Sequence, residues 1–185
     1  FNILIADQLL IEGTLPKEIY KVSSLMTLSM SECEISGALS EDLIQLSKLE
    51  ELYLWGNNLK GQIPSSIGNL TALSILSLAS NRFSGTLPQE IEGLAELVGF
   101  TIKDQVTKGG GITGYLRPFS KSPKLTNLIL GGNRFGGKIP TTLLQMVDFN
   151  SYIIVDLSSN ILTGIVPGDL GHFGRMNLLL EDNLL

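Results

Sequence analysis

Apolar residues fall on a skeleton that returns every 24 residues. It is clearest in LEELYLWGNNLKGQIP, residues 49–64: Leu49, Leu52 and Leu54, then Asn57, Leu59, Gly61, Ile63 and Pro64. The skeleton recurs as Leu73, Leu76, Leu78, Asn81, Phe83, Gly85, Leu87 and Pro88. Leu52 and Leu54 are two apart, so they share one face of a short strand and Tyr53 and Trp55 share the other. The chain must then turn, and buried turn N–H and C=O groups need partners. The Asn57 carboxamide, with two donors and two lone pairs, can serve its own coil and the next. Gly61 suits a tight backbone, and Pro64 ends the extended run. A fixed period along a whole chain predicts stacked units rather than a globular domain.

The register can be followed from end to end. The first unit is degenerate: Leu4 and Ala6, then Leu9 in place of the asparagine, then Ile11, Gly13, Leu15 and Pro16. The second has Leu25, Leu28 and Met30, then Cys33 at the asparagine place, Ile35, Gly37 and Leu39, with Ser40 for the proline. Leu9, Cys33, Asn57 and Asn81 are evenly spaced, so the first four units carry no insertion. In the fifth, Leu97, Phe100 and Ile102 make a strand and Gln105 falls where the asparagine is due, but Ile112, Gly114 and Leu116 arrive late. The three successive glycines of DQVTKGGGI predict that Asp104 to Gly111 leaves the body as a loop that could be deleted without loss of the fold. The sixth unit is regular through Asn133 and Pro140, a smaller insertion lies near Val147 to Ser151, and the seventh runs from Val155 through Asn160 to Pro167. Leu178, Leu180, Asn183 and Leu185 form an eighth strand.

This pattern resembles the plant-type leucine-rich repeat, LxxLxLxxNxLxGxIPxxLGxL, over essentially the whole chain. The resemblance implies an α/β repeat solenoid: a right-handed horseshoe segment of about seven coils plus a final strand. One parallel sheet would line the concave side, with short helical or irregular segments on the convex side. Cys33, Asn57, Asn81, Asn133 and Asn160 would form a ladder of buried side chains bonded to turn backbone. Residues 1–185 read as a single solenoid, expected to be a piece of a longer chain that lacks its caps, since terminal coils otherwise expose their core.

Composition narrows the function classes. A net charge of −5 and a pI near 4.9 argue against nucleic acid, which selects basic surfaces. No apolar run is long enough for a membrane helix. One cysteine makes neither a disulfide framework nor a zinc site, and Cys33 reads as a buried structural thiol. The one histidine, His172, has no evident nucleophile or orienting partner and reads as a solvated surface group. The scattered carboxylates lack the spacing of a calcium loop, and Gly109, Gly110 and Gly111 lack the Lys-Ser/Thr sequel of a phosphate loop. The expectation is therefore a protein without catalytic residues, metal or cofactor.

The outward strand positions carry the candidate chemistry. One column reads Ile5, Ser29, Tyr53, Ser77, Thr101, Ile129, Asp156, Leu179, and its neighbour Asp7, Ser31, Trp55, Ala79, Lys103, Gly131, Ser158, Glu181. Tyr53 and Trp55 stand among small neighbours, either as an anchor pair for a partner or as filler of their repeat. Ser77, Thr101, Lys103, Asp104 and Asp156 complete the candidate partner-binding set. Asn69-Leu70-Thr71 is an acceptor triplet for N-glycosylation. The resemblance extends to the ectodomains of receptor-like proteins and to secreted inhibitors. It implies a non-catalytic module that recognises a protein, peptide or glycan through its concave face, at the cell surface or outside the cell. The alternative is a scaffold subunit packed within a larger intracellular or organellar assembly.

Overall fold

The computed structural model describes residues 1–105 and 111–185. The Leu-x-Leu segments form eight short strands: Ile3–Ile5, Thr27–Ser29, Glu51–Tyr53, Ile75–Ser77, Gly99–Thr101, Asn127–Ile129, Ile153–Asp156 and Met176–Leu179. They lie in chain order in one sheet, every neighbouring pair parallel. The register is strict, with Leu28, Leu52, Leu76, Phe100, Leu128, Val155 and Leu178 as successive partners. Parallel neighbours require a long crossover, and the remainder of each coil supplies it. Leu52, Leu76 and Val155 are fully buried and Leu128 almost so, within one apolar core that runs from Leu15 to Phe173. Burial of that continuous row is the main force holding coil to coil, since each coil alone leaves its apolar side open to water.

A second parallel sheet accompanies the expected one. Its seven strands are Gly13–Thr14, Ile35–Gly37, Asn58–Gly61, Arg82–Thr86, Gly111–Tyr115, Arg134–Gly137 and Ile161–Leu162. These segments begin just after the ladder position, later only in the first and fifth coils, so coils already in register bring them within bonding distance of each other. Ile35, Leu59, Phe83, Ile112, Phe135 and Leu162 point into the core from this sheet. The helical component consists of 3-10 turns, with no α-helix among the described residues. Lys17–Lys21, Ser65–Asn69, Gln89–Gly93 and Gly168–His172 each follow a proline, whose fixed φ sets the entry angle. Glu41–Gln45 follows Ser40 instead, and the Ser40 hydroxyl accepts from the Asp42 N–H at 3.1 Å.

Side-chain amides stitch the turns between the two sheets. Asn57 Oδ1 accepts from the N–H groups of Cys33 (3.1 Å) and Ile35 (2.9 Å) in the preceding coil. Its Nδ2 donates to the carbonyls of Met30 and Leu54 at 2.8 and 3.0 Å. Asn81, Asn133 and Asn160 repeat the arrangement, each buried. Asn183 also joins the series. Cys33 has no carboxamide to offer the first coil, so the Ile11 N–H turns back to Leu9 O at 2.8 Å, and the buried thiol lies 2.9 Å from Ala6 O. The residue before each ladder position is left-handed in every coil, from Gln8 to Asp182, with φ between 51° and 69°. Among the eight, Gly56 and Gly132 adopt that conformation without the Cβ strain the others bear.

The fifth coil corrects the expected loop. Gln105 is buried and takes the asparagine's place: Oε1 accepts from the Phe83 N–H at 3.0 Å, and Nε2 donates to Leu78 O at 3.0 Å. The Asp104 N–H donates to Gly131 O, and Gly111 already belongs to a strand. Residues 106–110 of that stretch, Gly109 and Gly110 among them, lie outside the described residues. The extra methylene of glutamine lets it reach the same carbonyls, so excising Asp104 to Gly111 would remove a ladder member along with any loop.

Asn81→Ala would leave the Leu59 N–H and the carbonyls it serves without their partner. We expect an equilibrium urea titration to show at least about 2 kcal/mol of lost stability, given roughly 1–3 kcal/mol per stranded buried group. A loss within about 0.5 kcal/mol, the usual scatter of surface substitutions, would show that water or backbone rearrangement replaces the ladder bonds.

Candidate functional site

Strand alternation sends the two polar columns onto the open face of the eight-stranded sheet. Tyr53 is half-buried and Trp55 is 38% exposed. On one side they meet Ser29 and Ser31, both buried. On the other they meet Ser77 and Ala79, both partly exposed. Asp7 fastens the serine side, its Oδ1 accepting from Ser29 Oγ and from the Ser31 N–H, each at 2.7 Å. Glu51 lies two residues before Tyr53 on the same strand face and accepts from Thr27 Oγ1 at 3.4 Å. Partial burial, and then the Glu51 carboxylate, push the Tyr53 phenol above its ordinary value. The aromatic pair is thus an apolar step on a polar floor that its neighbours are too small to cover.

The other end of the face is built around an ion pair that skips a coil. Lys103 Nζ lies 3.0 Å from Asp156 Oδ2, two coils away, reaching over the intervening Gly131. A Cβ at Gly131 would lie 2.8 Å from Asp156 Oδ1 and 3.0 Å from Ser158 Oγ, so a side chain there would crowd the bridge. Asp156 Oδ1 accepts from the Ser158 N–H at 3.0 Å and from Ser158 Oγ at 2.5 Å. Burial works to raise the Asp156 carboxyl, but the Ser158 hydroxyl, the Lys103 ammonium and the Ser158 N–H outweigh it and hold the carboxyl below its usual range. Its hydrogen bond to Asp156, then that carboxylate's charge, raise Lys103 above the ordinary lysine value.

The structure therefore brings Tyr53, Trp55, Ser77, Thr101 and Lys103 onto one surface, with Asp104 exposed at its turn edge. Asp156 departs from its expected place among the partner contacts. It is 3% exposed and acts from below, by holding Lys103. Asp7, Glu51 and Gly131 belong to the same face without having been singled out; Glu51 could have been, from its spacing to Tyr53. Asn69 ends a 3-10 turn on the opposite side of the coil and is exposed. His172 is exposed there too, with Asp169 4.0 Å away and the Phe149 ring edge-on at 6.4 Å, and it has no nucleophile beside it. Among the described residues no cluster of histidine, cysteine or carboxylate side chains could hold a metal, and no helix is long and apolar enough to cross a membrane.

The repeating coils, the parallel sheet and the amide ladder define a leucine-rich-repeat solenoid, and this chain is a plant-type leucine-rich-repeat protein. The Leucine Rich Repeat family model matches residues 48–70, 72–94 and 124–146. The plant peptide hormone receptor RGFR1, in complex with RGF2, is similar at 30% identity and a TM-score of 0.87 over 98% of this chain. The ectodomain of the Arabidopsis thaliana receptor kinase GASSHO1/SCHENGEN3, in complex with CASPARIAN STRIP INTEGRITY FACTOR 2, is similar at 30% identity and 0.82 over 92%. The Arabidopsis receptor kinase HAESA, in complex with the peptide hormone IDA and the co-receptor SERK1, is similar at 26% identity and 0.84 over 98%. This chain spans 28%, 20% and 30% of those three chains respectively. No curated protein matches it in sequence.

Asp156→Asn keeps the side-chain shape and removes the charge. The native carboxyl is lowered, so its contribution is present above the unfolded value near pH 4 and disappears as pH falls through the native value. Lys103 is raised, so its share is present below its ordinary value near pH 10.4 and lost as pH rises past the native one. Between these limits we expect Asp156→Asn to cost about 1–3 kcal/mol, toward the lower end because Lys103 is partly solvated. Thermal melts of both proteins from pH 7 down to pH 2 should converge. A gap that stays constant across that range would mean that the charge contributes nothing.

Proposed function

We propose that this solenoid recognises a protein or peptide partner through the concave face, as part of an ectodomain-type leucine-rich-repeat protein. The carrying observation is the Tyr53–Trp55 pair standing on the open sheet among Ser29, Ser31, Ser77 and Ala79. Core and ladder positions are committed to packing, whereas the outward columns are where coils can differ without disturbing the stack. An aromatic anchor ringed by small groups can be fully dehydrated by a partner, and such anchors dominate interface energies. The solved solenoids that resemble it are peptide hormone receptor and receptor kinase ectodomains, which supports both the peptide class of partner and a cell-surface or extracellular setting.

A second reading is a scaffold subunit packed within a larger assembly. The two readings separate on one experiment. With the native partner isolated from the source tissue, combined Tyr53→Ala and Trp55→Ala should leave the circular dichroism spectrum unchanged and weaken binding at least about tenfold, the equivalent of 1.4 kcal/mol. Unchanged affinity, with cross-links mapping to the ends of the stack, would favour the scaffold.

A further inference from the structure

Resting on the reading of the concave face as the recognition surface, we infer that the segment bound over coils two to four is cationic, a lysine- or arginine-bearing stretch of a partner peptide whose charged group sits on Trp55. The outward positions of the first four coils carry three carboxylates, Asp7, Glu32 and Glu51, and no lysine or arginine. The five cations of those coils lie elsewhere. Lys17 and Lys21 are in a 3-10 turn, Lys48 precedes a strand, and Lys60 and Arg82 are on the second sheet. Among the described residues no ion pair neutralises Asp7, Glu32 or Glu51. Lys103, further along the face, does not offset them, because Asp156 already holds it.

The three carboxylates lie on the aromatic pair's own coil and the two before it. Glu51 shares the strand face of Tyr53. Glu32, exposed and left-handed, lays its stem against the glycine that follows Trp55: a Cβ on Gly56 would lie 2.9 Å from Glu32 Cγ. Asp7 closes the column that continues through Ser31 to Trp55. A second observation is independent of charge. Ser31 Oγ, between Asp7 and Trp55, is buried and has no hydrogen-bond partner, although buried hydroxyls are ordinarily satisfied. Ammonium and guanidinium groups bring several N–H donors, are attracted to an indole face, and are drawn to carboxylates beside it. An acidic segment would meet uncompensated like charge at each of these points.

Trp55 is the only tryptophan in the chain, so its emission reports on this site. The probe is tetra-arginine amide, with tetraglutamate and cellotetraose as comparisons. Tetra-arginine should change Trp55 emission saturably, and Glu32→Gln with Glu51→Gln should weaken that binding at least about fivefold, more in low salt than in high. Removing two charges on the opposite side, Glu18→Gln with Glu90→Gln, should weaken it less than about twofold. Equal loss in the two pairs would mean attraction to bulk charge and overturn the inference, as would a response to tetraglutamate. A response to cellotetraose with none to tetra-arginine would make the site a glycan platform and overturn it as well. A native partner sensitive to the Tyr53 and Trp55 changes but indifferent to Glu32→Gln with Glu51→Gln would sink this inference alone. A partner mapped away from the concave face would sink the recognition reading itself.

Discussion

A coil that closes on itself every two dozen residues must turn inside its own core, and the carboxamide that satisfies those turns is the constraint on which the rest depends. Backbone groups buried without partners would each cost more than a typical packing contact returns. From the third coil on, one amide side chain per coil bonds its own coil and the preceding one at once, as Asn57 does with Leu54 and Cys33. That spacing sets the vertical register. Both sheets, the strict pairing of Leu52 with Leu76 and the alignment of the 3-10 turns follow from it. Where the carboxamide is missing, as in the first coil, the Ile11 N–H bonds Leu9 O and Cys33 O instead.

Because register is settled by inward groups, the outward columns are released from structural duty. The Lys103–Asp156 pair uses that freedom by spanning two coils, past a glycine that leaves room for it in the coil between. Charge on the face is consequently uneven. At the Lys103 end the ion pair is internally neutral, whereas around Trp55 the carboxylates have no cation opposite them. A rigid stack with a fixed, asymmetric charge pattern suits the recognition of an extended segment, since little conformational entropy is lost by the receiving surface.

How much could be read before the structure differs between repeat and site. The period of 24, the apolar row, the ladder positions and the parallel stacking were legible because each inward residue type answers one local demand: leucine to fill, amide to pair, glycine to turn, proline to stop. Gln105 was legible only as a substitution, since nothing local tells whether a longer amide still reaches Leu78. The second sheet was not legible because its short strands carry no apolar alternation, and they exist only once neighbouring coils lie alongside.

The candidate face shows the same division. Alternation alone placed Tyr53 and Trp55 on the open side of the sheet, because a strand offers two faces and leucine claims one. The fate of a charge on that side could not be read in the same way. Asp156 and Asp7 look alike in their columns, yet one is buried beneath a lysine two coils away and the other ties down two serines in the adjacent coil. Local periodicity decides which side of a strand a residue occupies; its ionic partner depends on distances across coils, and those exist only when the stack is assembled.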